Sequence, residues 1–205
     1  VRAAPVTWTE RVVADGSLRA VVLNSGGANA CTGPDGAADT ATTAEHVAKG
    51  LGCDVDEVAV CSTGLIGVRL PMDRLTQGVR RAVDALRTDG GLDAAAAIMT
   101  TDTCPKTASA ARSGVTVAGM AKGAGMLAPG LATMLSVITT DAAVAPATLD
   151  AVLRTAVSRT FDRLDSDGCM STNDTVIAMA SGASGVMIGR DLDEEEFVDL
   201  LTDVS

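Results

Sequence analysis

The sequence predicts an α/β fold. Three observations carry that expectation: short apolar runs of strand length alternate with stretches of helical periodicity, glycine-rich turns follow the first two runs, and no internal repeat or low-complexity linker interrupts the alternation. At 205 residues the chain is one large domain or two small ones. It is 47% apolar but only 1% aromatic, so its core must come from Ala, Val, Leu, Ile and Met.

The first expected strand is Leu18 to Leu23, which runs into the glycine-rich segment Asn24 to Gly36. Ala37 to Leu51 reads as a helix closed by Gly50 and Gly52. Val58 to Cys61 is a second buried strand leading into Ser62 to Gly67. Pro71 to Leu86 is amphipathic, with Met72, Leu75, Val79, Val83 and Leu86 at three- and four-residue spacing and the proline in the first turn. Asp93 is expected to cap an alanine-rich helix from Ala94 to Met99. Strands follow at Thr116 to Met120 and Leu135 to Thr140, then a helix over Thr148 to Leu164. Its stripe is Leu149, Val152, Leu153, Ala156, Val157, Thr160 and Phe161. The polar segment Asp165 to Asp174 precedes a strand at Thr175 to Ala180. Asp191 and Glu194 resemble a capping box for a last helix carrying Phe197, Leu200, Leu201 and Val204. Several strand orders are compatible with this pattern.

Composition narrows the function classes. A formal net charge of -10 with no basic cluster argues against nucleic acid as a partner. The apolar runs fall well short of a bilayer span, and no secretory signal opens the chain, so no membrane role is expected and the cytoplasm is the expected location. Val1, in place of an initiator methionine, points to a fragment or a processed product. Cys31, Cys53, Cys61, Cys104 and Cys169 form no CxxC pair and His46 is the only histidine, so reduced thiols are expected and no metal site is assigned. Each cysteine is expected to be a small core filler. His46 is expected on the polar side of its helix and is given no role.

Among segments that could do chemistry, Ala121 to Thr140 stands out. Lys122 reads as part of a glycine-rich turn with Gly123 and Gly125, Pro129 breaks the backbone, and Thr133 stands before the apolar run Met134 to Ile138. A hydroxyl at that point suits a self-cleaving enzyme, in which the α-amine freed by cleavage serves as base for the hydroxyl beside it. The blander readings are an exposed lysine and a β-branched residue starting a strand. Thr63 and Gly64 follow a buried strand, where a hydroxyl beside a glycine N–H suits an oxyanion hole, although such pairs are also ordinary turn residues. Met99 to Thr103 gathers three hydroxyls and a carboxylate as either helix termination or a polar pocket wall. Asn24 to Gly33 lacks the dinucleotide spacing and no GK[ST] motif occurs, so nucleotide binding is disfavoured. The acidic run Asp191 to Glu196 reads as a solvated helix start.

The stretches NSGGANACTG (Asn24 to Gly33), VAVCSTGLIG (Val58 to Gly67), AIMTTDTCPK (Ala97 to Lys106), GMAKGAGMLAPGLATML (Gly119 to Leu135) and STNDT (Ser171 to Thr175) together resemble one family. It is the glutamate N-acetyltransferase and ornithine acetyltransferase family of arginine biosynthesis, in its actinobacterial form. The resemblance implies a self-processing N-terminal-nucleophile α/β fold, of the ornithine acetyltransferase or DmpA-like kind. It implies cleavage between Ala132 and Thr133, giving an α-chain portion over 1–132 and the start of a β chain over 133–205, each incomplete because family members are about twice this length. It also implies that Thr133 is the nucleophile, that Thr63 and Gly64 form the oxyanion hole, and that Thr100, Lys122 and Thr133 contact substrate. Acetyl would pass from N-acetylornithine to glutamate through an acetyl-threonine, with no metal or organic cofactor. Some members also take acetyl-CoA, and the α and β chains assemble two by two. The nearest alternatives are an N-terminal-nucleophile aminopeptidase or amidohydrolase, in which water resolves the acyl-enzyme, and a non-catalytic relative of the same fold.

Overall fold

Each half of the chain builds its own small sheet. The computed structural model describes residues 1–128, 131–132, 134–169 and 171–205, with backbone only at 127, 128, 131 and 132. The chain divides into two compact units, Val1–Thr100 and Thr101–Ser205.

The first unit runs α1 (Ala4–Val12), β1 (Ala20–Gly27), α2 (Gly33–Leu51), β2 (Val58–Leu65), α3 (Met72–Asp84) and α4 (Gly91–Ala97). β1 and β2 pair in parallel, from Ala20 opposite Val58 to Gly26 opposite Gly64. Both strands run further than their apolar residues predict, taking in Asn24 to Gly27 and Ser62 to Leu65. The polar ends hold because they bond each other: the Ser62 hydroxyl donates to Asn24 Oδ1 at 2.6 Å. The glycines permit close approach, since a Cβ on Gly64 would lie 2.3 Å from the Gly26 carbonyl carbon.

Residues 58–63 of β2 are all buried, as expected of a strand covered on both faces. Its outer edge is closed by α1 rather than by a third strand. The Thr9 hydroxyl donates to Val60 O at 2.8 Å and accepts from Val60 N–H at 3.0 Å, while Trp8 Nε1 donates to Val58 O at 2.9 Å. Ala44, Val47 and Ala48 of α2 meet Val58, Val60 and Val79 in the core of this unit.

Three helix boundaries here depart from expectation. α2 begins at Gly33, four residues early, because Pro34 is pre-set for a first helical turn. α3 ends at Asp84, leaving Leu86 exposed. α4 starts at Gly91 with Asp93 inside its first turn, where the carboxylate is held by Arg87 and does not cap the helix.

The second unit runs β3 (Lys106–Arg112), β4 (Val115–Lys122), β5 (Leu127–Ala128), β6 (Leu131–Ala132), β7 (Leu135–Thr140), α5 (Pro146–Arg159), β8 (Thr175–Ala180) and α6 (Glu194–Val204). The main sheet has the order β3-β4-β7-β8, antiparallel except for the parallel β7/β8 pair. β5 and β6 pair antiparallel in a separate two-residue ladder. β7 and β8 occupy the predicted residues.

β3 is a strand that hydropathy does not announce. Its five central residues are small and mostly exposed, and it is held by the turn at Ser113 (φ 52°) and Gly114 (φ 80°), two left-handed residues in the hairpin-forming combination. α5 breaks at Thr160 (φ -127°, ψ -92°), so the expected helix to Leu164 finishes as a short 3₁₀ turn, Phe161–Arg163. α6 takes Asp193, not Asp191, as its N-cap residue. Asp191 instead accepts from Met187 N–H at 3.0 Å and pairs with Arg190.

Phe197, Leu200 and Leu201 of α6 are almost wholly buried with Val115, Val117, Ile138, Val152 and Ala156. Burying a side chain of that size contributes about 1.5–3 kcal/mol, enough to fix the sheet that carries Lys122. The cysteines depart from the expected core role: Cys61 alone is buried, Cys53 is intermediate, and Cys31, Cys104 and Cys169 are exposed. All five are free thiols, and burial pushes the Cys61 thiol up to about 12. Among the described residues no helix is long and apolar enough to cross a membrane.

Candidate active site

Lys122 is the last residue of β4, opposite Leu135 in the β4/β7 register. The expected glycine-rich turn therefore begins one residue later than the sequence suggests, and the lysine is only 3% exposed. Burial lowers its pKa, Asp102 and Asp174 oppose that, and Lys106 adds to it. A lysine in these surroundings sits closer to neutrality than a surface lysine does.

Asp102, with a side chain 1% exposed, organises one flank. Oδ1 accepts from Gly123 N–H at 2.8 Å and from the Lys106 ammonium, and Lys106 Nζ also donates to Gly123 O at 3.0 Å. Both backbone groups of Gly123, the residue after Lys122, are thereby held. The hydroxyl-rich motif of 99–103 thus contributes its carboxylate here.

Asp174 forms the other flank. Oδ1 accepts from Met134 N–H at 3.3 Å. Burial raises its carboxyl to about 6, against the pull of the Met134 amide, the Ser171 hydroxyl and the Lys122 ammonium. Oδ2 is buried and has no hydrogen-bond partner among the described residues. The neighbouring Thr175 N–H donates to Met134 O at 3.1 Å, so Met134 has both backbone groups taken by residues 174 and 175. The loop that delivers Asp174 is tied internally: Asn173 N–H donates to Ser171 Oγ, and the Thr172 hydroxyl donates to Asn173 Oδ1.

Thr133, the expected nucleophile, lies outside the described residues, as do Pro129, Gly130 and Met170. The backbone of Ala132 ends β6, paired with Leu127. What the structure brings together in this unit is Lys122 with Asp102, Lys106 and Asp174.

The remaining expected site residues belong to the first unit. Thr63 is 3% exposed in β2 beside Gly64, whose φ of 130° suits glycine alone. Ser25, the register partner of Thr63, donates its hydroxyl to Ala97 O at 2.8 Å, tying α4 to the strand ends. Thr100 follows α4 and is exposed. Gly26, Gly27 and Leu65, around Gly64, help line an open cleft of about 620 Å³ with Leu70, Leu75 and Val79. His46 is half-buried, with Nδ1 on Thr42 O at 2.9 Å. Among the described residues no group of three or more His, Cys, Asp or Glu is placed to hold a metal ion.

The ArgJ family model matches residues 1–205 of this chain. The chain belongs to the ArgJ family. It is 62% identical over 204 residues to the arginine biosynthesis bifunctional protein ArgJ of Thermobifida fusca, covering 100% of this chain and 52% of that protein. It is 60% identical over 204 residues to ArgJ 1 of Streptomyces clavuligerus, with the same coverage of both. The chain thus spans about half the length of the curated relatives it matches.

Two solved structures share the fold. The ornithine acetyltransferase of Mycobacterium tuberculosis, complexed with ornithine, aligns with a TM-score of 0.58 at 54% identity, covering 64% of this chain and 72% of that one. ArgJ of Bacillus halodurans aligns with a TM-score of 0.52 at 34% identity, over 66% and 72% respectively. The α/β class and the ornithine acetyltransferase fold predicted from the sequence are those of the structure. Sequence reasoning on side-chain roles missed Asp102, Lys106 and Asp174. The signal for Asp174 was STNDT, a polar motif directly before an apolar strand.

Proposed function

We propose that the protein carrying this chain is a self-processing acetyltransferase that moves acetyl from N-acetylornithine to glutamate. One observation carries the reading: in an ArgJ-family chain, the residue after Thr133 is held at both backbone groups beside a buried lysine and a half-buried carboxylate. Such a clamp suits a reacting group that must be placed to a fraction of an ångström. The family membership and the similarity to an ornithine acetyltransferase support the choice of substrates.

Processing starts when Thr133 Oγ attacks the carbonyl carbon of Ala132. The Ala132–Thr133 C–N bond breaks, the nitrogen takes up the hydroxyl proton, and Ala132 becomes an ester on Oγ. Water then cleaves the ester, leaving a carboxylate on Ala132 and a free α-amine on Thr133. In turnover this amine accepts the Oγ proton as the hydroxyl attacks the acetyl carbonyl, and passes it to the departing ornithine amine. The amine of glutamate attacks the acetyl-threonine, and N-acetylglutamate leaves with the hydroxyl restored. Each tetrahedral intermediate carries an oxyanion, for which Thr63 and Gly64 are the assigned donors, each worth about 10²–10³ in rate. Lys122 and Thr100 contact substrate in this reading.

The same reading divides the chain into residues 1–132 of an α chain and 133–205 of a β chain, two of each in the assembly. Some family members also take acetyl-CoA as the donor, and N-acetylglutamate formed from acetyl-CoA and glutamate alone would place this enzyme among them. The enzyme works in the cytoplasm among its soluble substrates.

Intact-mass measurement of the full-length protein tests the reading. It should show two chains split at Ala132–Thr133, one uncut chain in Thr133→Ala, and slow splitting in Thr133→Ser. Supplied with N-acetylornithine, the processed enzyme should form N-acetylglutamate only when glutamate is present. Ornithine release indifferent to glutamate would make it a hydrolase, and an uncut wild-type chain would remove the amine base altogether.

A further inference from the structure

We propose that Asp102 is a positioning residue for Lys122: together with Lys106 it clamps Gly123, and so holds the buried lysine in place for a substrate carboxylate. This rests on the acetyltransferase reading above, in which Lys122 contacts substrate, and names what holds the lysine there.

The sheet alone does not restrain Lys122 on its C-terminal side. The β4/β7 ladder ends at the Lys122–Leu135 pair, and the β3/β4 ladder ends at Lys106–Ala121. Gly123 lies beyond both ladders, at the start of a segment whose glycines, Gly123 and Gly125, give the backbone little restraint. Its N–H belongs to the rigid peptide plane that also contains the Lys122 carbonyl, so holding that N–H fixes ψ of Lys122. Asp102 Oδ1 accepts it at 2.8 Å. The Lys106 ammonium donates to the same oxygen and also to Gly123 O at 3.0 Å, which closes a ring of three hydrogen bonds around the glycine.

The residue types exceed what a strand end needs. An asparagine or a hydroxyl would satisfy Gly123 N–H without taking a charge out of water. Here the acceptor is a carboxylate whose side chain is 1% exposed, and its cation comes from Lys106, an exposed side chain at the first residue of β3. Charge-assisted bonds of this kind are about twice as strong as neutral ones, so the ring resists the play of the glycines that follow. The carboxylate also does what an amide could not. Burial lowers the pKa of Lys122, Asp102 and Asp174 oppose that, and Lys106 adds to it. Asp102 thus favours the charged lysine, while Lys106 takes up part of its charge and leaves the Lys122 ammonium available to a substrate anion.

Steady-state acetyl transfer by the split full-length enzyme, with N-acetylornithine varied, tests this in wild type, Asp102→Asn, Lys106→Met and Lys106→Arg. Thermal melting of each accompanies it. Asp102→Asn keeps an acceptor for Gly123 N–H but offers no charge to either lysine. It should raise KM about 10-fold with kcat within about 3-fold of wild type. Lys106→Met opens the ring and leaves the Asp102 charge to Lys122 alone, and should raise KM about 5-fold. Lys106→Arg restores a cationic donor and should bring KM back to within about 2-fold of wild type. A clamp serving the fold alone would lower the melting temperature and the amount of active enzyme but leave KM unchanged, because inactive molecules do not enter KM. Wild-type KM in both Asp102→Asn and Lys106→Met would therefore overturn the proposal. Should Asp102→Asn fail to fold or to split, the two variants of the exposed Lys106 decide by themselves. A wild-type enzyme that transfers no acetyl would overturn the acetyltransferase reading itself, and this role with it.

Discussion

Two polar groups, one in each unit, were built to opposite standards. Asn29 is 1% exposed with its side-chain amide fully used. Nδ2 donates to Gly36 O at 2.8 Å and to Thr40 Oγ1 at 2.9 Å, and Oδ1 accepts from the Thr32 hydroxyl at 2.7 Å. Gly36 makes room for it, since a Cβ there would lie 2.5 Å from Asn29 Oδ1. Asp174 keeps one oxygen unpartnered among the described residues and carries a raised pKa. A polar group placed only for stability ends up satisfied. One left incomplete inside an otherwise braced loop marks a position chosen for something else.

The comparison breaks most easily on the satisfied side, where the largest stability losses are expected. Asn29→Ala removes the donor shared by Gly36 O and Thr40 Oγ1, which keep their bond to each other at 3.0 Å, and leaves the Thr32 hydroxyl without its acceptor, so it should cost about 2–4 kcal/mol in urea unfolding. Thr9→Val is nearly isosteric but strips both backbone groups of Val60 of their edge partner. It should cost about 2 kcal/mol. Losses below about 0.5 kcal/mol in either variant would mean that satisfaction of these groups does not hold the first unit together.

On the incomplete side the larger expected effect is on chemistry. Lys122→Met removes the cation that faces Asp174 and should raise the carboxyl further above 6, as followed by NMR of its carboxyl carbon. Processing should slow by about 10²-fold or more with little change in melting temperature. A stable Lys122→Met variant that processes normally would reduce the lysine to packing.

Much of the fold was legible because local pattern and tertiary need agree. Leu135–Thr140 and Thr175–Ala180 are β-branched apolar runs, and they are strands at those residues. β3 was not legible, because alanines, a serine and a threonine on an exposed hairpin carry no apolar alternation. The site divides in the same way. Lys122 could be singled out by its glycine-rich surroundings, but its burial follows from pairing with β7 and from packing that no local window contains. Asp174 lies 40 residues along the chain from the amide it holds, so only the fold reveals that contact. Asp102 was hidden among the hydroxyls of its own motif.

The smallest expected effect is also the most specific to the contrast. Asp174 is held near 6, above the ordinary 3.8, chiefly by burial, which disfavours its charged form. A carboxyl raised on folding contributes stability that is fully present below 3.8 and is lost as pH climbs through 6. Asparagine never ionises and pays no such penalty while still accepting from Met134 N–H. Asp174→Asn should therefore gain on wild type between pH 4 and 6 and hold a constant advantage above that. Because Asp174 is only half-buried, solvent screening limits the gain to about 1 kcal/mol. Urea midpoints at pH 4, 5, 6 and 7.5 measure it. A difference that stays flat across that range would mean the carboxylate is as comfortable as Asn29, and the incompleteness that sets this site apart would have no energetic content.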